Sequence, residues 1–130
     1  MTSHCCALRY SRTMRHMLAL CACLVAAPAL AAEPEIVDAI VTRTGPAYRV
    51  DVTILHPDTG WDHYADGWEV VDASGTRLGY RLLHHPHVNE QPFTRSLNVD
   101  LAEGTRAIFI RAHCSVDGWG KETFRVDITP

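Results

Sequence analysis

Histidine is the residue type in this chain with the clearest chemical potential. Eight of the 130 residues are histidines, and Cys114 directly follows the last of them. Imidazole nitrogen and thiolate sulfur are the ligand atoms that zinc, copper and iron take in proteins. The residue types therefore predict a transition-metal site, with copper, zinc and iron all open as the cofactor. The candidate ligands are His56, His63, His85, His87, His113 and Cys114.

The amino terminus has the pattern of a Sec-type signal peptide, predicted to cover residues 1–32. Three arginines and no acidic residue precede the apolar stretch Met17 to Ala27, and the small residues Ala29-Leu30-Ala31 follow it. The mature chain is then one domain, residues 33–130, in the periplasm or secreted. Leu20-Cys21-Ala22-Cys23 also resembles a lipoprotein box, so a lipid anchor on Cys23 is a weaker alternative.

Removal of this segment changes the charge and the cysteine count of the protein. Nine basic residues face 15 acidic ones after residue 32, for a formal charge of −6, and Cys114 is the one cysteine left. The mature domain therefore contains no intramolecular disulfide. It has no basic stripe for nucleic acid and no apolar run of 18 residues for a transmembrane helix.

Apolar and polar residues alternate through most of the mature chain, which is the pattern of β-strands with one buried face. We expect an all-β domain, a seven-stranded immunoglobulin-like or fibronectin-like antiparallel sandwich. The predicted strands are residues 36–44, 48–54, 67–72, 78–82, 93–101, 106–114 and 124–128.

Tight turns and longer loops alternate between these strands, and this order predicts where the histidines lie in the fold. Antiparallel strands bring every second connection to the same end of a sandwich. The three long loops, residues 56–66, 84–92 and 115–121, therefore share one end, and all six mature histidines lie in them or at their edges. Ligands that are distant in sequence are expected to meet there.

Other side chains near this end have structural or partner-binding interpretations. Trp68 should belong to the core, whereas Trp61, Tyr64 and Trp119 are candidates for an aromatic patch that binds a protein or small ligand. Arg95 falls on the apolar face of its strand and needs a carboxylate partner. Glu90 and Asp66 are the candidates for this structural ion pair.

No catalytic residue is predicted. Cys114 and His113 are adjacent in a strand, so they point to opposite faces and cannot act together as a nucleophile and its base unless the strand ends before them. The chain has neither a Gly-x-Ser-x-Gly motif nor a phosphate-binding glycine loop.

Two resemblances to known families rest on particular motifs. The stretch 61–68, followed by His85-Pro86-His87-Val88-Asn89-Glu90-Gln91-Pro92-Phe93-Thr94-Arg95, resembles a family of small exported bacterial proteins with no established chemistry. His56-Pro57, then His63-Tyr64 and Trp68, then Cys114-Ser115-Val116-Asp117-Gly118-Trp119, is similar in order to the iron domain of desulfoferrodoxin-type superoxide reductases.

The second resemblance implies an immunoglobulin-like sandwich with a mononuclear iron held by four histidines and one cysteine. His56, His63 and Cys114 would be iron ligands by this likeness. The sequence departs from the family at Asp117, where the family has a histidine, and the mature chain has no ligand histidine before its first strand.

The resulting expectation is an exported binding or accessory protein with a transition-metal site formed by the three long loops. A non-haem iron redox enzyme and a metal-free protein-interaction module that uses the loop aromatics are the alternatives.

Overall fold

The alternating pattern produces β-strands joined by turns and loops in residues 32–130, the part of the chain that the computed structural model describes. The predicted signal peptide and Cys23 lie outside these residues, apart from Ala32. Eight strands are formed, one more than the seven predicted, because the two-residue strand β7 pairs with β6 inside a predicted loop. They are β1 (Glu35–Thr44), β2 (Ala47–Leu55), β3 (Ala65–Val71), β4 (Arg77–Leu82), β5 (Phe93–Val99), β6 (Ala107–Cys114), β7 (Gly118–Trp119) and β8 (Phe124–Asp127).

The strands form two antiparallel sheets. One sheet has the order β1-β2-β5, and the other has the order β4-β3-β6-β7, with β8 also paired to β6. The described residues include no helix long and apolar enough to cross a membrane.

Apolar side chains from both sheets form a single buried cluster, so the sheets pack face to face. Val50, Val52 and Ile54 of β2 are fully buried, and Ile108 and Ile110 of β6 are buried opposite them in the same cluster. The prediction that Trp68 belongs to the core is confirmed, because its side chain is completely enclosed.

The alternation in β6 decides which way its last residues point. Ile110, Ala112 and Cys114 are buried, whereas Arg111 and His113 are only partly buried. Cys114 therefore faces the interior at the end of the strand, and His113 faces the other side of the sheet. Cys114 also pairs with Ala65, which starts β3 two residues before the predicted boundary and brings the preceding loop beside the cysteine.

Gly79 of β4 packs closely against side chains of β5 in the other sheet. A Cβ atom at this position would meet Val99 Cγ1 at 2.8 Å and Leu97 Cδ2 at 2.9 Å. Because both neighbours belong to the other sheet, a larger residue would push the sheets apart.

We expect Gly79→Ala to lower the free energy of unfolding by about 1–3 kcal/mol, the usual cost of one extra carbon in a packed interior. Denaturant unfolding measures this change. Gly120→Ala is the matched control, because a Cβ atom there meets nothing nearer than 3.5 Å. Equal effects of the two substitutions would contradict the close packing described for Gly79.

Candidate metal centre

Three side chains that can bind a metal converge at one end of the sheets. The ligand atoms of His56, His63 and Cys114 all lie within 4.8 Å of one another. His56 follows the last residue of β2, His63 lies in the loop before β3, and Cys114 ends β6. Segments far apart in the sequence thus supply one cluster of two imidazoles and one thiol.

The His56 ring is completely buried, and a carboxylate fixes its orientation. Its Nδ1 atom lies 2.6 Å from Asp58 Oδ1, and the side chain of Asp58 is also fully enclosed. Because a carboxylate accepts hydrogen bonds, Nδ1 is the donor, and in the neutral ring Nε2 carries the free lone pair. Nε2 is buried and has no hydrogen-bond partner. This atom is therefore available to a metal ion.

Asp58 organises the surroundings of this ring as well. Its Oδ1 atom also accepts the backbone N–H of Ala65 at 2.9 Å, and its Oδ2 atom accepts that of His87 at 2.7 Å. One buried carboxylate thus joins the end of β2, the start of β3 and the loop between β4 and β5. Nothing in the sequence analysis singled out Asp58; its spacing of two residues from His56 was the available signal.

Cys114 is enclosed at the inner side of the cluster. The backbone N–H of Val116 points to its sulfur at 3.5 Å, and the thiol lies 3.6 Å from Asp117 Oδ2. Burial raises the pKa of the Cys114 thiol, since the thiolate is poorly solvated there. A bound cation would stabilise the thiolate in the same place.

Asp117 lies beside the cluster, in contact with two of its three residues. Its Oδ2 atom lies 3.2 Å from His63 Nε2 as well as near the sulfur, and about a quarter of each of the His63 and Asp117 side chains is exposed. In the sequence, Asp117 stood out only as a departure from the superoxide reductase pattern. Its contact with His63 depends on the folded loops, which the sequence pattern does not define.

His85 and His87 lie outside the three-residue cluster. Their rings are 4.6 Å apart, and His87 stacks on Phe93 with a centroid separation of 3.8 Å. Arg95 Nη2 lies 2.8 Å from His87 Nε2, and since a guanidinium only donates, Nε2 is the acceptor. Burial, and then the charge of Arg95, lower the pKa of His87. The neutral ring is thus the favoured form, and metal binding by this pair stays a prediction.

His113 lies on the opposite face of β6 from Cys114. Its Nδ1 atom bonds to Asp66, and its ring meets Trp119 edge-on at 4.8 Å. Asp66 is therefore hydrogen-bonded to His113. Of the two candidate partners of Arg95, it is Glu90 whose carboxylate lies 3.2 Å from the guanidinium. The fold gives His113 a carboxylate partner, and among residues 32–130 it belongs to no cluster of three candidate ligands, so its role as a ligand stays a prediction.

The candidate partner-binding aromatics fall into two groups. Trp61 is 67% exposed and contacts Tyr64 edge-on at 5.6 Å. Trp119 instead contacts Tyr80, and the guanidinium of Arg111 lies 4.7 Å from the Trp119 ring. Partner binding by these residues stays a prediction.

Comparison with known proteins gives one related sequence and several similar folds. No family model matches the chain. A protein of Halomicrobium mukohataei, named "putative lipoprotein", is 40% identical over 96 residues, which cover 73% of this chain and 47% of that protein. The chain thus spans about half the length of this relative.

Among solved structures, a hypothetical protein from Pyrococcus horikoshii aligns with a TM-score of 0.52 at 14% identity, over 75% of this chain and 89% of that one. The two proteins share the overall fold. A superoxide reductase in the oxidised state aligns with a TM-score of 0.48 at 13% identity, over 75% and 90% of the two chains. The superoxide reductase of Giardia intestinalis gives 0.45 at 19%, over 69% and 95%.

The burial of Asp58 leads to a stability prediction. Asp58→Ala removes the acceptor of three buried donors, each of which costs about 1–3 kcal/mol when unsatisfied. We expect the free energy of unfolding to fall by at least about 3 kcal/mol, measured by denaturant titration of the metal-free protein. Asp62→Ala, in the same loop but exposed, should change it by less than about 0.5 kcal/mol. Equal stability of the two variants would show that the Asp58 contacts contribute little.

Proposed function

We propose that this protein is an exported metal-binding protein that holds one transition-metal ion through His56 Nε2, His63 and Cys114. The observation that carries this proposal is the buried Nε2 atom of His56, which has no hydrogen-bond partner among the described residues, on a ring that supplies one of three ligand atoms lying within 4.8 Å of one another. An unpaired buried nitrogen lowers stability by about 1–3 kcal/mol, and coordination would remove this cost.

The charge of Asp58 supports a cation in the same place. A buried carboxylate requires a compensating positive group, but the ion-pair partners of Asp58 among the described residues are only His56 and His87. A metal ion bound to His56 Nε2 would place positive charge on the far side of the ring. Metal-binding histidines commonly donate their second nitrogen to a carboxylate in this manner, which fixes the ring and makes it a stronger ligand.

The donor set defines the class of ion. Two imidazoles and a thiolate suit zinc, copper and iron, whereas magnesium and calcium prefer oxygen ligands. In an exported protein whose mature chain has one cysteine, coordination would also occupy the thiol.

Export is supported by two independent features. The amino-terminal residues have the charge order and small-residue pattern of a signal peptide. The Halomicrobium relative is named as a lipoprotein, which agrees with a location in the cell envelope. Cleavage after residue 32 and lipidation of Cys23 are the two routes that this proposal includes.

Metal titration of the mature, untagged protein tests the function. We expect one Zn²⁺ or Co²⁺ per chain, with a sulfur-to-cobalt charge-transfer band in the Co²⁺ form. His56→Ala and Cys114→Ser should each lower affinity by more than the 10- to 100-fold that loss of an outer contact to a ligand typically costs. Cys114→Ser should also abolish the charge-transfer band while preserving side-chain size.

The matched control for this titration is His84→Ala, because His84 is exposed and lies outside the cluster. This variant should bind like the wild-type protein. The proposal fails if the wild-type protein binds no transition metal, or if His84→Ala weakens binding as much as His56→Ala.

A further inference from the structure

The geometry points to Asp117 as a fourth ligand, which closes the site as a four-coordinate centre for a zinc-class divalent ion. This inference rests on the proposed function and adds to it the coordination number and the class of ion. It also predicts that the bound ion has no open position for a substrate.

Two contacts of Asp117 are close to the separations between ligands of one tetrahedral ion. Its Oδ2 atom lies 3.2 Å from His63 Nε2 and 3.6 Å from Cys114 Sγ. Bonds of about 2.0 Å to nitrogen or oxygen and 2.3 Å to sulfur place tetrahedral ligands about 3.3–3.6 Å apart. The 3.6 Å separation from sulfur falls within this range, and the 3.2 Å separation from nitrogen lies just below it. One carboxylate oxygen therefore already lies beside the Cys114 sulfur and a His63 nitrogen, at nearly the separations that a shared ion requires once the ion replaces the proton between Nε2 and the carboxylate.

The turn between β6 and β7 fixes Asp117 in this position. Ser115 and Tyr64 exchange two hydrogen bonds. The backbone N–H of Ser115 donates to the carbonyl oxygen of Tyr64 at 2.9 Å, and the hydroxyl oxygen of Ser115 accepts the backbone N–H of Tyr64 at 3.1 Å. These bonds join the turn to the residue next to His63. Gly118 then has a φ of 79°, a conformation that favours glycine, and reverses the chain directly after Asp117.

Exposure shows which side of the site Asp117 covers. His56 and Cys114 are completely buried, whereas His63 and Asp117 each retain about a quarter of their side-chain exposure. Solvent therefore reaches the cluster from the side that carries Asp117 and His63. A metal bound only by the three proposed ligands would have its free position on that side, where the Asp117 carboxylate already lies.

The charges of the four ligands agree with a divalent ion. Two neutral imidazoles add no charge, and one thiolate and one carboxylate together balance two positive charges. Such a balance matters here because half of the ligands are removed from water. Three protein ligands plus an open position are typical of catalytic zinc sites, whereas four protein ligands are typical of structural ones.

Co²⁺ spectroscopy of Asp117→Ala tests this inference, because cobalt reports its coordination number in the visible spectrum. The wild-type protein should give the intense bands of a tetrahedral complex. In Asp117→Ala, water should enter, the bands should weaken to those of five or six ligands, and Zn²⁺ affinity should fall at least 10-fold. Asp117→Asn should behave similarly, because the amide has the same shape but no charge. Asp62→Ala, also in an exposed loop, is the matched control and should behave like the wild-type protein.

The results separate this inference from the proposed function. If Asp117→Ala keeps wild-type affinity and a tetrahedral spectrum, Asp117 is not a ligand, while the metal site stands. Lower affinity with unchanged tetrahedral bands would mean that Asp117 supports His63 through their contact and does not bind the ion. This result also overturns the inference. If the wild-type protein binds neither Co²⁺ nor Zn²⁺, the proposed function fails and the inference fails with it.

Discussion

A carboxylate and an imidazole are buried together at the end of β2, and the organisation of the site depends on this pair. Asp58 lies 2.6 Å from His56 Nδ1, and neither side chain is exposed to solvent. The same carboxylate accepts backbone N–H groups from Ala65 and His87. Asp58 thereby fixes the orientation of the His56 ring, leaves its Nε2 atom free, and also holds the adjoining loops.

The strands could be predicted from the sequence because their pattern reflects burial directly. Val50, Val52 and Ile54 alternate with polar residues, and each of them is buried in the structure. The same two-residue period predicts opposite directions for His113 and Cys114, and this is what β6 shows. The two-residue strand β7 was not predicted, since two residues are too few to show any period.

The site was harder to predict because its geometry depends on contacts between loops. A family resemblance and the alternation of loops both indicated His56, His63 and Cys114 as ligands. The sequence did not distinguish these three residues from His85 and His87. The structure stacks His87 on Phe93 and bonds it to Arg95, which are contacts that depend on where the loop folds. Asp58 was overlooked for a similar reason, because a loop aspartate is usually solvated, and only its burial reveals its role.

Anomalous X-ray diffraction from crystals of the mature protein grown with Zn²⁺ would locate the bound ion. We expect a single strong zinc peak at bonding distance from His56 Nε2, His63 and Cys114 Sγ, about 2.0–2.3 Å from each ligand atom. A zinc peak only at surface histidines such as His84 or His85, with none beside His56, would contradict it.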